Sequence, residues 1–263
     1  MREIDTKELK NIQLNILIRF HEFCISHGIN YSLSSGTLIG AIRHKGYIPW
    51  DDDIDTYMLR SEYNKFEKEF SDDHLCIMSP NINRHCIYPY AKLYDTRTIL
   101  VEDLDHMPKE MGVNIDIFIV DSVPDNMEDR KKLFKKNRLL TKMLILKTVK
   151  MRKGRGWIKN LGLIMGKVLL LPYSSLHIIK KKMKLIGDFN PNAKEVCNII
   201  AGTKSCIPMR IMQDFIDVEF EGHNFKCMKE YDIYLHKCYG DYMQLPPIEQ
   251  RITHHAFKAW WKE

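Results

Sequence analysis

YSLSSGTLIGAIRHKGYIPWDDDIDTYMLR, spanning Tyr31–Arg60, is the stretch around which the chain reads as organised. Its last third places Asp51, Asp52, Asp53 and Asp55 within five residues, directly before an apolar and β-branched run. A strand from about Asp53 to Leu59 would put Asp53 and Asp55 on one face, about 7 Å apart, with Ile54 turned into the core. Two carboxylates held that way repel each other unless a cation sits between them. Hard oxygen ligands at this spacing suit Mg²⁺ or Mn²⁺, which take one or two carboxylates and complete their shells with water and substrate phosphate.

Upstream, Ser34-Ser35-Gly36-Thr37 is a small-residue turn into a short helical run from Leu38 to His44. The first amides of such a helix point at anions. Arg43-His44-Lys45 adds positive charge. A solvated acidic turn would account for the carboxylates alone, but not for their combination with the Gly-Thr turn and the basic triplet.

The chain has 263 residues, enough for one sizeable domain with an insertion or for two small lobes. With 44% hydrophobic and 28% charged residues it reads as globular, which excludes disordered and collagen-like classes. The net charge of +6 conceals an uneven distribution. Between Arg130 and Gly187 lie 18 of the 40 Lys and Arg and none of the 34 Asp and Glu. Seven cysteines without a CxxC pair, and an N-terminus lacking an apolar leader, lead us to expect a reduced, cytoplasmic protein.

Working outward, Asp5-Thr6-Lys7-Glu8 resembles a capping box before an amphipathic helix that carries Leu9, Ile12, Ile16, Phe20 and Phe23 and ends at His27-Gly28. Ser61 is the expected N-cap of a helix to about Phe70, and strands are expected at Leu75–Met78, Tyr88–Tyr94 and Thr98–Val101. Lys92 falls in the second of these strands, where a cation is commonly a solvated edge residue but near a diphosphate could neutralise a leaving group. In Val113–Val120, VNIDIFIV, an acid stands inside an apolar strand and is expensive to bury unless paired or metal-bound. Asp116 is therefore the candidate third carboxylate.

From Asp125 the pattern becomes helical and basic. The apolar run from Leu161 to Tyr173 is too short to cross a bilayer and is interrupted by Lys167. A basic amphipathic segment of this kind can rest on an anionic membrane, can be a solvated face, or can meet nucleic acid. Nucleic acid is disfavoured because stacking aromatics are few, Phe134, Trp157 and Tyr173. Beyond Asn190-Pro191, strand pieces are expected around Glu221-Gly222 and a helix over Met228–Cys238, followed by a run rich in Pro, Tyr, Arg and His.

Three segments, SSGTLIGAIRHKGYIPWDDDID, VNIDIFIVDSVPD and YLHKCYGDYMQLPPIEQRITHH, resemble in order those of the LicD phosphotransferases, to which the fukutin-related proteins also belong. The resemblance implies an α+β chain with a nucleotidyltransferase (polymerase-β-like) mixed-sheet core. It divides the chain into a catalytic core (1–125), a basic helical insertion facing membrane or acceptor (126–190), and a C-terminal helical segment that completes the active site (191–263). Gly36 and Thr37 fall on the phosphate turn, Asp53 and Asp55 on the paired acids, and Asp116 on the third. The interval from Gly36-Thr37 to Asp53 is longer than in compact nucleotidyltransferases.

The resemblance further implies transfer of a phosphorylated alcohol, most often phosphocholine, from a CDP-activated donor such as CDP-choline. The acceptor would be a sugar hydroxyl on teichoic acid, lipopolysaccharide or a capsule precursor, carried on a lipid at the inner face of the cell membrane. Asp53 and Asp55 would hold the metal, and Asp116 would hold a second or act as base. Gly36, Thr37, Arg43, Lys45, Lys92 and Arg251 would bind substrate. His254 and His255 would serve as acceptor-side base or phosphate ligand. A choline group would require aromatic faces, for which Tyr47, Trp50, Tyr57, Tyr239, Tyr242, Trp260 and Trp261 are the supply. Two rival readings remain: a nucleotidyltransferase acting on a small molecule or RNA, and an inactive membrane-associated scaffold. Retention of all three acids argues against the scaffold.

Overall fold

The computed structural model describes residues 1–151, 156–253 and 257–263. Its spine is β7 (Asn114–Ser122), whose run of Ile and Val is buried on both sides, as a central strand requires. β3 (Asp55–Leu59) lies parallel to it on one side, and β5 (Ala91–Asp95) lies antiparallel on the other. With β2 (Ser32–Leu33) and β4 (Leu75–Met78) at the edges, the order is β2-β3-β7-β5-β4. β8 (Glu195–Cys197) joins the far end of β7, and β9 (Cys206–Pro208) pairs with β8, giving seven strands. A second sheet has the order β1-β12-β6, made of β1 (Arg2–Glu3), β12 (Phe257–Trp261) and β6 (Thr98–Glu102).

The helix α1 (Thr6–Ser26) buries Leu9, Ile12, Ile16 and Phe20 against the sheet. Only half of the expected capping box forms. Asp5 accepts the Glu8 amide at 2.8 Å, while the Glu8 carboxylate accepts from Arg2 and from Trp261 Nε1 at 2.9 Å. The helix α2 (Ser35–His44) begins earlier than the apolar pattern indicates, and α3 (Arg60–Glu69) follows β3 without an intervening loop. Ser61 is not its cap: Leu59 holds that position, and Arg60 instead makes a two-pronged ion pair with buried Asp121 at 2.8 and 2.7 Å.

Three helices, α4 (Met127–Thr148), α5 (Trp157–Leu169) and α6 (Ser175–Ile186), fill the basic stretch. Leu144, Ile178 and Ile179 form their own small apolar cluster. Arg130 pairs with Glu195, and Asn137 Nδ2 donates to the Ile199 carbonyl at 2.9 Å, fastening α4 to the segment around β8.

The C-terminal part is more mixed than the expected helical segment. Besides the helix α7 (Tyr231–Tyr239) and three short 3-10 turns, it holds five strands among the described residues. β10 (Phe215–Phe220) and β11 (His223–Met228) form a hairpin whose turn, Glu221-Gly222, has φ of 51° and 76°. Positive φ at both turn positions matches the natural twist of paired strands. Met228, expected to begin a helix, ends β11 because it pairs with Phe215. Residues 191–263 thus add strands to the main sheet and to the second sheet as well as the helix α7.

Candidate active site

β3, β7 and β5 align one side chain each. Asp55 is opposite Asp116, and Asp116 is opposite Lys92. Lys92 Nζ donates to Asp116 Oδ1 at 2.6 Å and to Asn114 Oδ1 at 3.1 Å, and lies 3.8 Å from Glu102 Oε1. Burial would lower the Lys92 pKa, but the charges of Asp116 and then Glu102 prevail and raise it. Asp53, Tyr90, Lys92, Glu102, Asn114 and Asp116 line one cavity of about 80 Å³.

The strand does not reach Asp53. β3 starts at Asp55, whose amide is taken by Thr37 Oγ1 at 2.8 Å, so Asp51, Asp52 and Asp53 curl as a loop before it. Gln13, in the middle of α1, holds that loop by donating to the Asp52 carbonyl at 3.0 Å. Among the described residues, the carboxylates whose oxygens converge are Asp51, Asp52 and Asp53, within 4.8 Å of one another. The expected trio of Asp53, Asp55 and Asp116 is not gathered as tightly, since Asp55 and Asp116 stand on separate strands and Lys92 holds an oxygen of Asp116.

Burial, followed by the charges of Asp53, Asp116 and Asp51, pushes the Asp55 carboxyl well above the usual carboxylate range. Asp51, Asp53, Asp55 and Asp116 thus crowd acidic groups beside the Lys92 ammonium. A donor set made only of carboxylate oxygens fits a hard divalent cation.

The start of α2 is shaped for close approach. Ser35 has φ of 50°, uncommon for a residue with a side chain, and its amide donates to the Tyr234 hydroxyl at 3.2 Å. Gly36 lies beneath Asp51: a Cβ there would stand 2.4 Å from Asp51 Oδ2. Thr37 is buried and supports β3 through the Asp55 amide. Gly36 and Thr37 thus position the acidic loop and its strand, a role not anticipated from the sequence.

Arg43 Nη1 donates to the Tyr242 carbonyl at 2.5 Å and so ties α2 to the C-terminal motif. Arg251 lies 5.4 Å from the Trp50 ring centroid and donates through Nε to the Pro246 carbonyl at 2.8 Å. Burial first, and then the charge of Arg251, lower the Arg43 pKa, so the two guanidinium groups share one neighbourhood. Lys45 is not brought to the cavity. It is the exposed left-handed C-cap of α2, about 15 Å along the helix from Ser35. His254 and His255 lie outside the described residues.

Aromatic rings stand beside the charged row. Two residues further along the same faces, Tyr57 is opposite Phe118, with ring centroids 6.2 Å apart, and Phe118 meets Tyr90 at 4.6 Å. Tyr234 adds a ring 5.5 Å from Tyr57. Of these only Tyr57 was in the expected aromatic supply. Tyr90 and Phe118 were missed because their neighbourhood depends on how β5 and β7 pair, which local periodicity does not give.

A family profile described as "LicD/FKTN/FKRP, nucleotidyltransferase domain" matches residues 28–153. Over 99% of its length, and 99% of the relative's, the chain is 34% identical to the lipopolysaccharide cholinephosphotransferase LicD of Haemophilus influenzae. Shorter matches link it to uncharacterized proteins of Rickettsia typhi (42% identity over 18% of this chain and 16% of the relative) and Rickettsia prowazekii (45% over 16% of each). The mixed sheet, its clustered carboxylates and this similarity define an enzyme of the phosphotransferase class. The chain belongs to the LicD family.

Proposed function

We propose that this LicD-family phosphotransferase moves phosphocholine from CDP-choline to a sugar hydroxyl of a lipid-linked bacterial glycan, with lipopolysaccharide as the first acceptor to test. The core would act as a nucleotidyltransferase-type sheet. The observation that carries this reading is the adjacency of two rows on one sheet: Asp55, Asp116 and Lys92 in register, and the rings of Tyr57, Phe118 and Tyr90 beside them. Phosphocholine has a phosphate at one end and a quaternary ammonium at the other, and the two rows supply matching chemistry. The relative's name, lipopolysaccharide cholinephosphotransferase, supports both substrate halves.

Asp53 and Asp55, flanked by Asp51 and Asp116, would hold Mg²⁺ or Mn²⁺. When bound, that ion supplies neutralising charge for the donor diphosphate. Lys92 holds Asp116 in a fixed direction through its 2.6 Å bond. We assign to the Asp116 carboxylate the proton of the acceptor hydroxyl. The sugar oxygen then bonds to the phosphorus of phosphocholine as the bond to CMP breaks, and CMP leaves with the bridging oxygen. Arg43 and Arg251, adjacent on the C-terminal side, would receive phosphate charge on the donor.

Calorimetric titration of CDP-choline, CDP-ribitol, CDP-glycerol and CTP, with and without Mg²⁺, tests the reading. CDP-choline should bind in a metal-dependent way to the wild type, and Phe118→Leu should weaken it about tenfold while leaving CDP-glycerol unchanged. Preference for CTP would replace this reading with nucleotidyl transfer.

A further inference from the structure

The sequence of α5, WIKNLGLIMGKVL, has more apolar surface than its packing uses. Leu163 and Leu170 are buried, and Gly166 faces Leu146 of α4, where an added Cβ would stand 3.4 Å from the leucine methyls, an ordinary contact. On the remaining arc, Trp157, Ile158, Leu161, Met165, Val168 and Leu169 are all exposed, Trp157 at 76% and Leu169 at 75%. At 100° per residue these six lie on one continuous face, and Lys159 lies across the helix from it. A single exposed leucine needs no explanation, but a face of this size marks a surface that is covered in use.

The flanking chemistry indicates the cover. Leu171, itself 71% exposed, continues the face into a turn and forms, with Pro172, the rim of a cavity of about 430 Å³. Arg84, His85, His106 and Lys147 line the same cavity. The surrounding segment, Arg130 to Gly187, has 18 basic residues and no acidic one. A second copy of this chain docked face to face would bring two such cationic segments together, which disfavours self-association. A surface combining anionic phosphates with an apolar interior complements both features. No described helix is long and apolar enough to cross a membrane, and α5, at about 20 Å, has the length to lie in the interface plane.

We infer that α5 and the Leu171–Pro172 turn are a docking face for an anionic lipid bilayer. The apolar arc lies in the headgroup boundary, and the Arg84, His85, His106 and Lys147 cavity receives a lipid phosphate. The inference rests on the proposed function only for why a bilayer is useful, namely that the acceptor is carried on a lipid.

The test is sedimentation of the full chain with phosphatidylethanolamine/phosphatidylglycerol vesicles and, in parallel, with pure phosphatidylcholine vesicles, without donor or acceptor. The chain should pellet with the anionic vesicles and be released by salt, with Trp157 fluorescence shifting to the blue. Leu161→Glu/Val168→Glu should reduce partitioning about tenfold or more with an unchanged thermal melt, because both side chains are exposed. Arg84→Ala/Lys147→Ala should weaken binding to anionic vesicles several-fold. Equal pelleting of wild type and Leu161→Glu/Val168→Glu would overturn the inference. So would absence of vesicle binding, or a dimer in sedimentation velocity that Leu161→Glu/Val168→Glu dissociates. Because no substrate is present, failure here leaves the transferase reading intact, whereas failure of CDP-choline binding leaves the docking face intact.

Discussion

Lys92 in the sheet and Lys182 in α6 are almost equally hidden, at 6% and 4% exposure, yet their environments drive them in opposite directions. Asp116 and Glu102 raise the pKa of the first against the effect of burial. The second has the Thr141 hydroxyl at 2.6 Å, and burial lowers its pKa to about 8. Burial sets the magnitude of the penalty, and neighbouring charge decides the sign. The sheet concentrates acids around its lysine, whereas the helical segment from Arg130 to Gly187 contains no acid at all. One region is organised to hold charge and the other to present it.

The strongest way to break this contrast is to remove the sheet's acids. Asp53→Asn/Asp55→Asn should reduce transfer at least about 10³-fold, read as product formed from CDP-choline, while the protein remains folded by circular dichroism. Retained activity would mean that the carboxylates are structural. Next comes Lys92→Met, which leaves Asp116 buried without its partner. Urea denaturation should show a loss of about 3 kcal/mol or more. A loss no larger than that of an ordinary surface substitution would show the pair to be dispensable.

Lys182→Met should act in the opposite direction. Below about pH 8 the folded chain carries a buried charge that the unfolded chain exposes at no penalty. Between about 8 and the free value of 10.5 the unfolded chain holds more protons, so wild-type stability should rise with pH across that window. The variant should be more stable at pH 7, by on the order of 2 kcal/mol, and flat over the window. Denaturation at pH 7 and pH 10 reads both. A wild type with no slope there would dissolve the contrast between the two lysines.

The smallest effect is expected of Gly36→Ala. Its Cβ would meet the end of the Asp51 side chain, which can swing aside, so stability should change by less than about 1 kcal/mol. Moving Asp51 should nevertheless raise the donor KM a few-fold. An unchanged KM would remove Asp51 from the site.

How far the sequence carries depends on the range of the interactions involved. The alternation of VNIDIFIV marks Asp116 as an acid in a buried strand, because side-chain direction is fixed residue by residue. Lys92 is likewise in the strand where it was expected, although that strand runs over Ala91–Asp95 and so begins three residues later than the pattern indicates. By contrast, the loop at Asp51–Asp53 is set by Gln13, far earlier in the chain, and by the Thr37 hydroxyl. The rings of Tyr90 and Phe118 meet only through strand pairing. β12 is held by β6 and β1, more than 150 residues away, and no pattern within five residues announces such partners. Long-range pairing also explains why the C-terminal part, expected to be helical, contributes strands to sheets begun by the rest of the chain.

The alignment of Asp55, Asp116 and Lys92 has a consequence for assembly. Side chains alternate sides along each strand, so sliding β3, β7 or β5 by one residue would carry a charged group to the opposite side of the sheet. A carboxylate would then lie among the isoleucines, without the ammonium that offsets it. Misaligned chains are thus penalised by the same groups proposed to perform the chemistry, and the site serves as the registration mark by which the sheet recognises its own correct pairing.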